Sequence, residues 1–257
     1  MKTIKLFLIA LSLSAFTGIQ AQTAEEIVAN YFENTGGLDN WGKLEGIKMS
    51  SKVSQGGMEI PLEIIQLKNG NQMTVINFQG LEIKQGVFDG EVLWSTNFQT
   101  QKAEKSDKES TDNMKIQSQD FPDAFYNYKE KGYTIELLGT EDLEGTETFK
   151  IKLTKTPMVV EGEEVENSSI YYFDSENFVP IVIHTEVRMG AGKGMISETK
   201  LSDYQEVDGL YFPFSMTQGI KDGMSQPITM DEIVLNPTVD LNVFKFPEET
   251  SSEVEKN

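Results

Sequence analysis

Met58-Glu59-Ile60-Pro61-Leu62-Glu63-Ile64-Ile65-Gln66-Leu67-Lys68-Asn69-Gly70-Asn71-Gln72-Met73-Thr74-Val75-Ile76-Asn77-Phe78 is the stretch that decides the fold class. Met58, Ile60, Leu62 and Ile64 recur at a period of 2, the repeat of a strand with one face buried. Asn69-Gly70 then offers the two residues that most readily take positive φ, as a tight hairpin turn requires. In the next strand Met73 and Val75 point one way, Ile76 and Phe78 the other. Leu81, Ile83 and Val87 follow, then a second turn at Asp89-Gly90, then Val92-Leu93-Trp94. From Ile47 to Trp94 the pattern predicts an antiparallel meander of about five strands in one continuous sheet.

Before this meander the period is different. Thr23-Ala24-Glu25-Glu26 reads as a capping box, with Thr23 as N-cap and Glu26 three residues on. Ala24, Ile27, Val28, Tyr31 and Phe32 fall on one helical face, and Gly36-Gly37 ends the helix. A short helical piece carrying Trp41 is expected over Leu38 to Leu44. Earlier still, Lys2 and Lys5 precede the apolar run Leu6 to Phe16, and Ala21 stands before polar Gln22-Thr23. That is the layout of a secretory signal peptide over 1–21, cleaved near Ala21/Gln22. The apolar run is shorter than the about 20 residues of a membrane span, and no stop-transfer pattern follows, which sets an uncleaved anchor aside. An exported, periplasmic protein with no stable membrane insertion is expected.

After the meander, 99–119 is rich in Lys, Glu, Asp, Ser and Gln. It reads as a solvated loop excursion. Phe121 to Lys131 is expected to be helical, with Phe125 and Tyr128 on one side. A second β run opens at Tyr133. It includes Phe149, Ile151 and Leu153 in alternation, a glycine-rich loop at 190–194, a turn at Asp208-Gly209 and a last strand from Ile228 to Leu235. One domain over 22–247 and a flexible acidic tail over 248–257 complete the reading. A long antiparallel sheet with so few helices is economical when curved around them.

Composition excludes several chemistries. The chain has no cysteine, hence no disulfide, no thiolate metal site and no lipid-bearing Cys at the cleavage site. Loss of Lys2 and Lys5 with the leader takes the net charge from −19 to −21. That argues against nucleic acid and against stable docking on an anionic lipid surface. His184, the single histidine, sits mid-strand and reads as an ordinary strand position; no Gly-x-Ser-x-Gly elbow is present. Gly190-Ala191-Gly192-Lys193-Gly194 fails as a phosphate loop, because Val187 stands where the first Gly belongs and Gly194 where Ser or Thr belongs. The acidic groups around Glu161–Glu166 and Asp107–Asp112 lack the EF-hand spacing. No cofactor, metal site or catalytic set is predicted. Asn167-Ser168-Ser169 matches a glycosylation sequon by chance. Of eleven methionines, ten lie beyond residue 21, among them Met49, Met73, Met189 and Met230. Unbranched thioethers suit an adaptable apolar interior.

Several segments resemble one family of exported proteins. They include Gln55-Gly56-Gly57-Met58-Glu59-Ile60-Pro61, Phe88-Asp89-Gly90-Glu91-Val92-Leu93-Trp94 and Asn127-Tyr128-Lys129-Glu130-Lys131-Gly132-Tyr133. The strongest is Ser202-Asp203-Tyr204-Gln205-Glu206-Val207-Asp208-Gly209-Leu210-Tyr211-Phe212-Pro213-Phe214. The chain resembles, over about residues 24–247, the Bacteroidetes-type outer-membrane lipoprotein-sorting, or LolA-like, proteins. The resemblance implies a mainly β fold, an unclosed antiparallel half-barrel of about eleven strands wrapped around a few lid helices. In the classical carrier, the cavity between sheet and lid holds the acyl chains of a lipoprotein, with a buried arginine and a transporter taking part. Here the single arginine is Arg188, and no local motif aligns it with that residue.

The leading expectation is therefore a monomeric, non-enzymatic binder or carrier of a lipid acyl chain or lipoprotein. Ile27, Val28, Tyr31 and Phe32 would form one wall of its cavity, with Trp41 and Phe125 in the lid. Met49, Ile60, Leu62, Ile64, Met73, Val75, Trp94, Phe149 and Ile151 would supply the sheet wall. A cell-envelope sensor or protein-interaction module on the same scaffold is the alternative, and a hydrolase built on paired carboxylates a third.

Overall fold

The change of period near Ile47 is where helix gives way to sheet in the computed structural model, which describes residues 22–248. The leader expected over 1–21 and all of the acidic tail except Glu248 lie outside the described residues.

Helix α1 (Ala24–Asn34) starts at the capping box that the sequence spells. Thr23 Oγ1 accepts the Glu26 amide at 3.1 Å, and Glu26 Oε2 accepts the Thr23 amide at 2.9 Å. Its buried stripe is Ala24, Ile27, Val28, Tyr31 and Phe32. After Thr35, Gly36 takes φ +110°, and a Cβ there would lie 2.1 Å from the Gly209 carbonyl oxygen. This glycine lets the helix end dock on a sheet turn, where the Tyr211 amide donates to the Thr35 carbonyl at 3.1 Å. The short α2 (Leu38–Trp41) then turns Trp41 inward, its Nε1 donating to the Thr35 carbonyl at 3.2 Å.

The first six strands are β1 (Gly46–Gln55), β2 (Met58–Leu67), β3 (Gln72–Phe78), β4 (Leu81–Phe88), β5 (Leu93–Thr96) and β6 (Ala103–Lys105). After α3 (Lys108–Ser118) come β7 (Thr134–Leu143), β8 (Thr146–Thr154) and a small hairpin, β9 (Met158–Val160) with β10 (Glu163–Val165). The rest are β11 (Ser168–Asp174), β12 (Pro180–Glu186), β13 (Ile196–Val207), β14 (Leu210–Ile220) and β15 (Ser225–Leu235). Thirteen of them form one sheet in the order β6-β5-β4-β3-β2-β1-β15-β14-β13-β12-β11-β8-β7, each described pair antiparallel. The sheet is larger than the eleven strands expected. The β1–β15 pairing joins the N-terminal meander to the C-terminal run, and β6 and β7 remain as edges, so the sheet is not closed.

Two expectations about the connecting segment are corrected. Residues 108–118, read as solvated loop, form α3; Asp107 caps it by accepting the Ser110 amide at 2.7 Å, and Lys108 pairs with Asp112 one turn on. Phe121 to Lys131, read as helix, is a series of turns, with Asn127 at φ +48° interrupting any helical run.

Each face of the sheet carries an apolar cluster where another segment covers it. The inner face carries α1 and α2, packed on Ile47, Ile151, Leu153, Phe173, Leu210, Phe212 and Ile233. On the outer face Ile65, Met73, Val75, Val87 and Trp94 lie beneath the C-terminal segment, which includes the 3-10 turn Leu241–Phe244. Trp94 Nε1 donates to the Phe244 carbonyl at 2.9 Å. Met73, Val75 and Trp94 therefore belong to the outer core and not to the inner wall assigned to them. Cross-strand register fixes this: Ile65 faces Met73 and Glu63 faces Val75, whereas Met49 faces Ile64 on the other side. Alternation tells which residues share a face, but not which face receives the helix.

Candidate functional site

The inner face divides into a covered part and an open part. Under α1, Ile27, Val28, Tyr31, Phe32, Trp41, Phe125 and Ile151 come together as the sequence suggested, but as a filled core. Phe125 meets Tyr171 and Phe173 edge-on, at 4.7 and 5.5 Å between ring centres, and Trp41 packs on Phe212 at 5.2 Å. Phe149 sits at the border of this cluster, stacked on Phe178 at 5.8 Å. A cavity of about 310 Å³ lies beside α1, where Val28, Phe32 and Phe125 of this cluster border open space together with Leu38 and the exposed Glu25.

A polar network ties the turn segment to this core. Asp123 accepts the Tyr31 hydroxyl at 3.1 Å and the Phe125 amide at 2.7 Å, while Lys131 Nζ donates to the Asp123 carbonyl at 3.1 Å. Burial pushes the Asp123 carboxyl above its ordinary range, and these hydrogen bonds and Lys131 only partly oppose it. Burial likewise holds the Tyr31 hydroxyl well above its usual value and Lys131 below its own. Asp120 accepts the Tyr133 hydroxyl at 3.0 Å and the Lys155 ammonium at 2.5 Å.

The open part begins where α1 and α2 stop. By register, Met49, Val53, Ile60, Leu62 and Ile64 share the inner face with Ile47, yet they are only half-buried. Leu62 is paired with Ile76 across β3, and Val53 with Ile228 across β15. Within this strip Ser51 is 1 % exposed, and its Oγ has no hydrogen-bond partner among the described residues. Two cavities lie farther along the sheet, neither lined by the strip's own apolar residues. One, of about 570 Å³, lies between α3 and the β11–β12 region, with Met114, Met158 and Met189 in its lining. The other, of about 790 Å³, lies among β13, β14, β15 and the β1–β2 turn.

No protein-family model and no curated protein matches this sequence. Solved structures do. A LolA superfamily protein from Nitrosomonas europaea superposes with a TM-score of 0.53 at 14% identity, over 88% of this chain and 98% of that one. The chain has a LolA-like fold. A DUF1329 family protein from Desulfovibrio piger gives a TM-score of 0.54 at 12% identity, over 86% of this chain and 96% of the other.

Within this LolA-like sheet, the element that sequence reasoning missed is α3. It packs against the β9–β10 hairpin and β5, held by groups that its composition had marked as mere solvated polarity. Asn113 grips β9 through both its amide atoms, donating to the Val159 carbonyl at 2.6 Å and accepting the Val159 amide at 2.9 Å. Glu109 accepts the Glu161 and Gly162 amides at 2.9 and 2.8 Å, and Glu161 in turn pairs with Lys193 at 2.8 Å. The signal available was the Asp107 cap with Asn113 and Met114 about two turns further on; a helix with no buried residue carries no apolar stripe to betray it.

His184 pairs with Glu198 at 2.8 Å and meets Tyr172 edge-on at 5.0 Å between ring centres. Its position in the register places it on the outer face, opposite to Thr185, away from the open strip. Arg188 is engaged by Glu186 at 2.9 Å at the border of the 570 Å³ cavity.

Proposed function

We propose that this LolA-like protein is an exported, periplasmic, non-enzymatic binder and carrier of acyl chains or of lipidated protein. The observation that supports it is the open strip of Met49, Val53, Ile60, Leu62 and Ile64. It is an apolar continuation of the core face that stays half-buried among the described residues, and Val53 at its end pairs with Ile228, two residues from Gln226 of the 790 Å³ cavity. A chain laid there gains about 0.8 kcal/mol for each methylene removed from water. Close packing of the aromatic cluster under α1 favours an acyl chain laid along the open strip over one beneath the helix. Phe149 and Ile151 belong to the covered side, and Met49 bridges the two.

Native mass spectrometry of protein purified from a periplasmic extract without detergent, with lipid extraction of the same sample, tests the proposal. Co-purifying fatty acids, phospholipids or an acylated protein are expected, and they should be lost in a folded Leu62→Glu, Ile64→Glu variant. A mass that stays bare after incubation with lipids and lipopeptides would sink the carrier reading and leave the interaction module of the cell envelope.

A further inference from the structure

The two open cavities border neighbouring strands, and together they form what is treated as one trough. Ser169 pairs with Thr185 across β11–β12, with their hydroxyls 2.7 Å apart, and Thr185 pairs with Ser197 across β12–β13. Thr185 borders the 570 Å³ cavity and Ser197 the 790 Å³ cavity, so the two abut along one row of hydroxyls. Beyond Ser197 the trough continues over Gln218 and Gln226, themselves cross-strand partners, toward Ile220 and Met224.

A quarter of the chain's residues are charged and the net charge is −19, yet among the described residues no charged one lines the 790 Å³ cavity. In the 570 Å³ cavity, α3 presents Ser110, Asn113 and Gln117. The cations there, Lys155 and Arg188, are each engaged by a carboxylate, Asp120 at 2.5 Å and Glu186 at 2.9 Å. A phosphate or carboxylate entering the trough meets hydroxyls and amides and two neutralised cations, within the repulsive field of an acidic protein. A partly desolvated anion without an opposing charge is strongly disfavoured. A hydroxyl or amide head group pairs with Ser, Thr and Gln side chains at no such penalty.

Building on the acyl-binding reading, we infer that this trough selects the polar end of the bound amphiphile, taking an uncharged, hydrogen-bonding head group in preference to an anionic one. The test uses the full chain and two probes with one acyl chain, monooleoylglycerol and ionised oleate, each below its micellar concentration. Binding is measured by equilibrium dialysis for the wild type, for Thr185→Val with Ser197→Ala, and for Gln218→Leu; circular dichroism confirms that each variant is folded. Monooleoylglycerol should bind the wild type at least about tenfold more tightly, and the preference should shrink to about twofold in the variants with oleate binding unchanged. Equal or tighter binding of oleate by the wild type overturns the inference and leaves acyl binding standing, as does a preference that survives in both variants. Failure of both probes to bind overturns the acyl-binding reading itself.

Discussion

Beneath α1 and α2 the inner face is aromatic and closed; along β1 and β2 the same face is aliphatic and half open. The strands of both regions alternate in the same way and belong to one hydrogen-bonded sheet. What differs is the cover. Ring-on-ring contacts such as Phe125–Phe173 fix the covered half in one arrangement, while Met49, Leu62 and Ile64 keep unsatisfied apolar surface. On the proposed carrier reading, stability and binding fall to different stretches of a single face, and each assignment can be broken separately.

The largest effect is expected at Phe173, fully buried between Tyr31 and Phe125. Phe173→Ala should lower unfolding free energy by about 3–5 kcal/mol in denaturant titrations. A loss below about 1 kcal/mol would mean that the covered half is not the stabilising one. At Leu62 the balance should reverse. Leu62→Ala should cost about 1 kcal/mol of stability, less than at a fully buried site, and weaken acyl-chain binding several-fold. Unchanged affinity there would erase the distinction between the two halves. Ser51→Ala sharpens it further: removing a buried hydroxyl with no partner among the described residues should stabilise the free protein by about 1 kcal/mol. Should the ligand offer an acceptor to Ser51, the same variant will bind it less well.

The smallest effect concerns the polar edge of the covered half. Burial raises the folded-state pKa of Asp123 above its ordinary value of 3.8, so the folded protein holds that proton more tightly than the unfolded chain. This contribution is fully present below 3.8 and is lost as pH rises through the raised value. Asp123→Asn, whose amide can accept from the Phe125 amide and donate to Tyr31, should flatten that decline in a series of melts across the acid range. An unaltered pH profile would remove Asp123 from the account.

Much of this was legible in the sequence. The Thr23–Glu26 box, the period change at Ile47 and the Asn69-Gly70 turn all rest on local chemistry, and all stand where they were read. The filled aromatic cluster was legible as a set of residues but not as a filled space, because periodicity does not measure the gap between helix and sheet. Met73, Val75 and Trp94 were placed on the wrong face, since nothing local announces that Phe244 will cover the far side of their strands. Helix α3 escaped because its grip is polar and long-range. Asn113 and Glu109 reach a hairpin some fifty residues away, and neither bond leaves a mark on hydrophobic spacing.

The unpaired edges at β6 and β7 set this sheet apart mechanically from a true barrel. In a closed barrel, strand number and stagger together dictate one radius, and no strand can shift without breaking a ladder of hydrogen bonds. Here the circumference has a seam. The wall can flex outward by small twists shared among its strands, with every backbone pair intact, and the polar clasp between α3 and the β9–β10 hairpin is what such a movement would stretch first.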